Sequence, residues 1–414
     1  MRWPGSPAVF QIISAARGDR VRNLSLALSR RLRTFAICWI AVASAVYVFD
    51  LLRQTRDGLT NGAGRPFGDD FINYWSAAFL AWHGRAAEIY DWSAFHAFQE
   101  RIVGAALDFY HYSYPPVLPV LTAPLAVVPY VPGLFLWLFA GWLCFFLALR
   151  TVRPDRGVLL LALATPAVFI SLVGGQNGTF TAAFLGGGLS LLERRPVVAG
   201  ILLGLLIQKP QLGLLLPVAL LAGGHFRALS AAAITAAALV LASALLFGSE
   251  IWITYFHNAA ILREAVLESG SGVWHRMLSV FVAVRRLGVG VPAAYGVQAV
   301  FALAVAATVA VTWHRDLPAA AKNAVLVVGT FLATPYLQDY DLVVGAFVAL
   351  WLVELYPTEM PKPALLAAGL ILVAPLAASP LANLTGYEFG PLLIAPAFVI
   401  VLRAALAKAS ALAA

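Results

Sequence analysis

The chain has 414 residues, of which 61% are apolar and only 12% are charged, and its mean hydropathy is +0.83. This composition excludes an ordinary water-soluble domain, which has no need of so much apolar surface. The formal net charge of +8 does not indicate nucleic-acid binding, because much of the excess lies in an N-terminal arm and in short loops, where topology and anionic lipid explain it.

The chain begins with a basic arm, residues 1–33, which carries seven arginines and one aspartate. The positive-inside rule predicts that this arm lies in the cytoplasm. The apolar run from Thr34 to Leu52 could be a signal peptide that ends at Ala43-Ser44-Ala45. Because its basic region is unusually long, we favour an uncleaved first helix.

Residues 34–410 are expected to form a single all-α, polytopic transmembrane domain. Apolar runs long enough to cross a bilayer recur from Thr34 onwards, and stretches such as 231–246 are continuously apolar, whereas barrel strands alternate. The pattern predicts about 12 transmembrane helices, plus or minus one. Four prolines break the block 115–149, which predicts either two short helices or one helix with a re-entrant lead-in. We expect an integral protein of a bacterial inner membrane.

With the N-terminus inside, residues 53–113 form a large first extracytoplasmic loop, the longest polar stretch and the natural place for chemistry. Asp69 and Asp70 are adjacent in it. Neighbouring side chains on a helix point about 100° apart, so only one of the two is expected to face a cleft. Two interpretations stay open, which are capping of the following helix and a catalytic role.

Further polar turns fall on the same predicted face as this loop. Lys209, the first of only four lysines, lies between two apolar segments, where it either snorkels to the interface or binds a lipid phosphate. Gln176 and Asn177 lie between glycines that permit close approach of a ligand, although such a string is often only a turn. Asp339, Tyr340 and Asp341 interrupt an apolar background, where Asp339 or Asp341 either caps a helix or faces a ligand.

Two other groups of side chains in the outer segments have less specific interpretations. Tyr114 begins a rigid Tyr-Pro-Pro entry into the next apolar segment, which by itself predicts an extended turn with interfacial aromatics. The histidines of the first loop do not have the spacing of a metal-binding helix face, and we take them as solvated or interfacial.

Taken together, these motifs resemble glycosyltransferase family 87, membrane enzymes of the GT-C class that use polyprenyl-phosphate-linked sugars. The matching pieces, in chain order, are Asp70-Phe71 with Tyr74 and Ala77-Ala78; Gly84 with Tyr90-Asp91; Tyr114-Pro115-Pro116 with Ala123-Pro124-Leu125; Gly175-Gln176-Asn177; Lys209-Pro210; and Thr334-Pro335 with Tyr340-Asp341. The chain departs from the family in carrying Asp69 as well, and in having residues 336–340 where many members carry a Trp-Asp-His-like string.

The resemblance implies a GT-C-like fold and an α-mannosyltransferase or a related enzyme. It implies a polyprenyl-phosphate-linked sugar donor that enters from the membrane lipid, and a glycan or glycolipid acceptor. It also implies that an acid of the first loop, Asp70 or Asp69, is the catalytic base. One carboxylate can suffice, because a phosphate leaves without being protonated. No second nucleophile is evident, so inversion is expected.

Cations of the later segments complete the predicted site. Lys209, with His257, His275 or Arg276 from a later outer segment, could stabilise charge on the departing phosphate. No nucleotide-sugar or metal-binding motif is apparent, so no cofactor is expected and metal dependence stays open.

Two alternatives come from other classes of protein. A lipid or solute transporter or flippase would carry charges in mid-helix and paired broken helices in corresponding halves, whereas the charges here sit at segment ends and the large loop is single. A non-catalytic scaffold protein is the third alternative.

Overall fold

The structure is a computed structural model that describes the backbone of residues 7–413 and the side chains of residues 30–408. Residues 1–6 of the basic arm therefore lie outside the described residues. Between residues 7 and 413 the chain forms helices and no β-strand. The α-helices are α1 Pro7–Gln54, α2 Phe71–Trp82, α3 Trp92–Val103, α4 Val117–Leu121, α5 Tyr130–Val152, α6 Gly157–Ala164, α7 Pro166–Val173, α8 Gly178–Leu191, α9 Pro196–Gly204, α10 Leu216–Ala222, α11 Phe226–Phe247, α12 Glu250–Leu262, α13 Val280–Arg286, α14 Val291–His314, α15 Ala319–Ala333, α16 Gly345–Leu355, α17 Lys362–Thr385 and α18 Gly390–Ala413.

Six of the described helices are long and apolar enough to cross a membrane, which makes the chain a multi-pass membrane protein. These spans are Arg30–Gln54 within α1, α5, α11, α14, α17 and Gly390–Lys408 within α18. Their outward side chains include exposed Phe35, Leu245 and Leu303, as expected of surfaces that face lipid. The all-α prediction is confirmed over the described residues.

The remaining apolar segments are shorter, so the count of about 12 crossings stays a prediction. The shorter apolar segments are Gly178–Leu191, Pro196–Gln208, Pro210–Ala222 and Ala319–Ala333. In the proline-rich block, α4 and one 3-10 turn, Ala123–Val127, precede the long helix α5. That arrangement is a single long helix with a short helical lead-in.

The predicted first loop contains two helices of its own, α2 and α3. Ten of the twelve residues of α2 are buried, so this helix is part of the core. Asp91 caps α3, since its carboxylate accepts from the backbone amides of Ser93 and Ala94, both at 3.0 Å. Gly104 ends α3 in the left-handed conformation.

The turn that holds Lys209 lies midway along a long neighbouring helix. A Cβ on Gly200 of α9 would meet Ala228 of α11, and one on Gly204 would meet Ala232, so the two helices pack closely and run parallel. Continued along the chain, this register brings Lys209 beside the middle of α11 rather than its end. Helix α11 is one of the six helices long and apolar enough to cross a membrane, so the lysine is level with the middle of such a helix.

The buried centre of the molecule consists of α8, α15 and α16. Gly186 of α8 faces the Phe347 ring of α16 with no space for a Cβ, and 12 of the 15 residues of α15 are buried. Helix α8 begins, and α15 ends, beside the polar cluster described next. A separate crevice lies on the opposite face, at the other ends of α5, α8 and α15. It is lined by Thr151, Ser190 and Pro318.

Candidate active site

Asp70 directly precedes α2 and faces the interior of the polar cluster. Its side chain makes no capping hydrogen bond, so the capping interpretation is wrong for this residue. One carboxylate oxygen accepts from the Gln176 amide, and the other has only the Asn73 amide at 3.4 Å. The carboxylate therefore keeps acceptor capacity for a further group.

Burial raises the pKa of Asp70 to about 7, and the adjacent Asp69 adds to the rise. Arg276 and Arg65 oppose it. A carboxyl group of this pKa is partly ionised near neutral pH and holds an accepted proton more strongly than an ordinary aspartate does. These are the properties of a general base.

Asp69 is held in place from several sides. The Arg65 guanidinium bonds its Oδ2 at 2.9 Å and 3.1 Å, and the Tyr110 hydroxyl donates to its Oδ1 at 2.8 Å. Arg65 also pairs with Asp50 near the end of α1. Asp69 is the one non-glycine residue with a positive φ among the described residues, at 52°. Its carboxylate does not cap α2 either, since both oxygens are engaged by Arg65 and Tyr110.

A chain of hydrogen bonds fixes Asp70 from behind. The Gln176 amide nitrogen donates to Asp70, and its oxygen accepts from the Tyr74 hydroxyl at 3.0 Å. The Tyr114 hydroxyl lies 2.6 Å from that of Tyr74 and donates to it, because the single Tyr74 proton is committed to Gln176. Both ends of the Gln176 amide are therefore occupied by protein groups.

The tripeptide Asp339-Tyr340-Asp341 joins two cations. Asp339 forms a two-bond pair with Arg276, at 3.0 Å and 3.1 Å, while Asp341 pairs with Lys209. The Lys209 ammonium lies 4.2 Å from the centre of the Tyr340 ring and the Arg276 guanidinium 5.7 Å from it. The two cations thus converge on one aromatic ring.

Lys209 is only 3% exposed, so the snorkelling interpretation is wrong. Asp341 accepts from the backbone amide of Gln338 as well as from Lys209, so its helix-capping interpretation holds together with the ion pair. Removal of one partner from a buried ion pair destabilises a folded protein by about 3–5 kcal/mol. We therefore expect that replacing either Lys209 or Asp341 alone leaves the other charge unpaired and lowers stability.

Two cavities meet at a wall of tyrosines. The acidic chamber, about 490 Å³, is lined by Asp69, Asp70, Gln176, His275 and Arg276. The lysine chamber, about 210 Å³, is lined by Gln208, Lys209, Tyr255 and Arg263. The tyrosine wall, which lines both chambers, consists of Tyr114, Tyr336 and Tyr340.

The structure thus brings together residues that lie far apart in the chain, although Asn177, Asp341 and His257 line neither chamber. Asn177 lines neither chamber, its side chain is fully buried, and neither of its polar atoms has a hydrogen-bond partner. We therefore do not include Asn177 in the proposed site, and its assignment as a substrate-binding residue stays a prediction. His257 also lines neither chamber, whereas His275 lines the acidic chamber, where burial and Arg276 lower its pKa.

Sequence reasoning missed Arg65 and Tyr110 as members of the site, and it considered Asp339 only as a helix cap or a ligand-facing acid. Arg65 precedes Asp69 by four residues, a spacing at which opposite charges meet on a helix, but the stretch between them is a turn and gave no such signal. Asp339 was visible as an acid in the motif. Its partner Arg276 lies 63 residues earlier, and no local pattern links the two.

The described residues contain no group of three or more His, Cys, Asp or Glu side chains placed to hold a metal ion. The carboxylates Asp50, Asp69, Asp339 and Asp341 are each paired with Arg65, Arg276 or Lys209. These four acids therefore share three of the protein's own cations, since Arg65 pairs with both Asp50 and Asp69.

These features define a class of protein. It is a multi-pass membrane protein in which a half-buried carboxylate and two convergent cations lie beside cavities at one face of the helix bundle. Residues 112–335 match the sequence model of Glycosyltransferase family 87. The match covers more than half of the chain, so the protein belongs to glycosyltransferase family 87 and is a transferase enzyme. No match was found among curated proteins or among solved structures.

The matched range contains Tyr114, Gln176, Lys209 and Arg276, and it begins after Asp70. Family membership therefore bears on the reaction class, whereas the role of Asp70 rests on its geometry. The finding favours an enzyme over the transporter and scaffold alternatives.

Proposed function

We propose that the protein transfers a sugar, mannose in the first instance, from a polyprenyl-phosphate donor to an extracytoplasmic glycan or glycolipid, with inversion. Asp70 is the general base in this proposal. The observation that carries it is the half-buried Asp70 carboxylate, which faces the acidic chamber and retains a free acceptor position while the Gln176 amide fixes its orientation.

The choice of Asp70 over Asp69 follows from their partners. Both oxygens of Asp69 are engaged, by Arg65 and by Tyr110, and its pairing with a guanidinium weakens it as a proton acceptor. Asp70 has no cation bonded to it, and its raised pKa suits proton transfer from an acceptor hydroxyl. The C–O bond to phosphate breaks as the acceptor oxygen attacks, and the hydroxyl proton passes to Asp70.

The departing phosphate gains negative charge, and the cations at Tyr340 are the groups suited to receive it. Lys209 approaches the Tyr340 ring from the lysine chamber, while Arg276 lines the acidic chamber with 23% of its side chain exposed. Both cations are already paired with aspartates, so they are preorganised and need no rearrangement to meet the phosphate.

A lipid-linked donor is supported by the depth of the site. The Lys209 turn lies beside the middle of the span α11, a level that a membrane lipid reaches more readily than a soluble nucleotide sugar. With Asp70 and its chamber outside, the N-terminus and the crevice at Thr151, Ser190 and Pro318 face the cytoplasm of a bacterial inner membrane.

The test is a comparison of donors in membranes that contain the wild-type protein. We expect radiolabelled mannose to pass from polyprenyl-phosphate mannose to a membrane or glycan acceptor, and not from a nucleotide-linked mannose when synthesis of the lipid-linked form is blocked. Membranes without the protein are the control. Transfer from the nucleotide sugar while synthesis of the lipid-linked form is blocked would overturn the proposed donor class. Transfer of a different lipid-linked sugar, and not of mannose, would overturn the assignment of mannose as the transferred sugar.

A further inference from the structure

A third cavity, the apolar groove, lies between α4, α5 and α8. It encloses about 260 Å³ and is lined by Leu118, Leu121, Leu125, Leu136, Trp137, Ala140, Phe180 and Phe184, with Thr122, Pro124 and Gln208. None of these lining residues is ionisable. The Thr122 hydroxyl is satisfied by the carbonyl of Leu118 at 3.0 Å, so the walls offer an apolar ligand almost no competing polar group.

The outer edge of the groove faces the membrane. Leu136, which lines it, is 45% exposed, and its neighbours on the same side of α5, Phe135 and Phe139, are 47% and 60% exposed. Because α5 is a membrane span, these side chains lie against lipid tails. An apolar chain can therefore enter the groove sideways from the bilayer.

The inner end of the groove reaches the site by two contacts. Gln208 lines both the apolar groove and the lysine chamber, and it directly precedes Lys209. Trp137 lines the groove while its ring stacks on Tyr74 at 4.8 Å and its indole nitrogen donates to the Gly175 carbonyl at 3.1 Å. One end of the apolar groove thus faces lipid. The other end lies at Gln208, next to Lys209, and at Trp137, which packs against the residues that position Asp70.

We propose that the apolar groove binds the phosphate-proximal isoprene units of the donor lipid. This inference rests on the proposed function, and it adds the path of the donor chain. The phosphate lies beside Lys209 and Tyr340, the sugar lies past the tyrosine wall in the acidic chamber, and the chain leaves through the groove to the bilayer. The apolar groove and the lysine chamber share Gln208 in their walls, which favours the donor chain over the acyl chain of an acceptor, since the chain must be attached to the group at Lys209.

The groove does not need to bind the chain more tightly than the bilayer does, because lipid tails are as apolar as leucine. Its contribution is orientation, since it fixes the direction in which the phosphate enters. Filling the groove should therefore act as a steric block on donor binding and leave the chemical step intact.

The first test uses two tryptophan substitutions on α5, in proteoliposomes of defined phospholipid. Ala140→Trp fills the groove, and Leu147→Trp, whose parent side chain is 52% exposed to lipid on the same helix, is the matched control. We expect Ala140→Trp to raise KM for polyprenyl-phosphate mannose about tenfold, equivalent to about 1.4 kcal/mol, with kcat within about twofold of wild type. Leu147→Trp should change neither value. An unchanged KM in Ala140→Trp would overturn the proposal.

The second test keeps the proposal falsifiable if Ala140→Trp fails to fold. A photo-reactive benzophenone amino acid replaces Leu121 in the groove or Leu147 outside it, and radiolabelled donor is added. Cross-linking of the donor at position 121 and not at 147 is expected. Equal labelling at both positions, or labelling of position 121 by the acceptor lipid instead, contradicts the assignment. A wild-type protein that transfers no sugar from any polyprenyl phosphate would contradict the proposed function itself, a result separate from these.

Discussion

Asp69 and Asp70 are adjacent carboxylates with different environments. Asp69 is bonded to Arg65 and Tyr110 in a left-handed conformation, whereas Asp70 points at Gln176 and the acidic chamber. The sequence predicted that only one of the two would face a cleft, yet both line the chamber, and it is the hydrogen bonds that separate their tasks. We infer that Asp69 anchors the loop and tunes its neighbour.

Asp69→Asn should move the acid limb of the kcat/KM profile to lower pH. The negative charge of Asp69 raises the pKa of Asp70 towards about 7, so its removal lowers that pKa and leaves more of the base ionised at pH 6. Asparagine tolerates the left-handed conformation and still accepts from Tyr110. The measurement is the rate of transfer between pH 5 and 8.

The control for this pH profile is Asp57→Asn, which removes an exposed carboxylate of the same first loop that lines neither chamber, and which should leave the limb in place. A limb that shifts equally in both variants, or in neither, would show that Asp69 does not tune the base. Complete loss of activity in Asp69→Asn at every pH would identify Asp69 rather than Asp70 as the base.

The residue types of the site were visible in the sequence, but their pairing was not. Lys209 stood out because charges are rare in apolar segments, and Gln176 because it lies between glycines. Their partners, Asp341 and Asp70, are 132 and 106 residues away. Only the packing of α8, α15 and the Lys209 turn against one another brings these groups together.

At the scale of the elements, the close approach of two turns holds the site together. Gly175, between α7 and α8, has φ of 61°, and a Cβ there would overlap the carbonyl oxygen of Gly68 and lie 2.8 Å from Phe71. The turn before α8 is thus pressed against the turn that carries Asp69 and Asp70. A glycine is required there both for its conformation and for its lack of a side chain.

Gly175→Ala should therefore destabilise the protein by about 2–4 kcal/mol, the sum of left-handed strain and overpacking, and should displace Asp70 from Gln176. The measurement is the midpoint of thermal unfolding in detergent together with the transfer rate. Gly224→Ala is the matched control, because Gly224 has a similar φ of 71° and an added Cβ there would meet nothing within 4 Å.

For Gly224→Ala we expect only the strain, about 1–2 kcal/mol, and unchanged transfer by the folded protein. Equal losses of stability and activity in the two variants would mean that the contact between the two turns has no special part in the site.

Hydropathy identified the long helices and could not resolve the short ones. The run 157–173 reads as one continuous apolar segment, but Pro166 divides it, whereas the Lys209-Pro210 turn was visible as a break between two apolar segments. How deep each segment lies depends on helix packing that only the folded chain supplies. The depth of the Lys209 turn was for the same reason not visible in the sequence.

At the scale of the whole molecule, the proposed function requires that the acidic chamber and the N-terminus lie on opposite sides of the membrane. Asp57, in the turn after α1, lies on the side of the chamber, and Arg156, beyond α5, lies at the other end of the bundle. Helix α5, with its 23 residues, is about 34 Å long. Both residues are exposed, so both are suitable for labelling.

Single cysteines test this arrangement after Cys38 and Cys144 have been replaced by serine. A membrane-impermeant maleimide should label Asp57→Cys in intact cells, and should label Arg156→Cys only after the membrane has been opened. The reverse pattern would place the acidic chamber in the cytoplasm and contradict the proposed acceptor.

The central claim is that Asp70 accepts the proton during glycosyl transfer. Because the pKa of Asp70 is raised in the folded state, its protonated form contributes to the free energy of unfolding. That contribution is fully present below about pH 4 and is lost as the pH rises through about 7. Asparagine carries no charge, so Asp70→Asn removes the free-energy cost of holding an ionised carboxylate at this half-buried position. The variant should therefore be at least as stable as the wild type above pH 7. Loss of activity in it cannot then be ascribed to unfolding.

The measurement that tests this claim most directly is the rate of sugar transfer by purified Asp70→Asn, compared with an equal amount of folded wild-type protein, with polyprenyl-phosphate mannose as the donor. We predict a loss of about 10²–10⁴-fold in kcat, the contribution of a positioned general base. A variant that transfers sugar within about threefold of the wild-type rate, with the same pH profile, would contradict the claim.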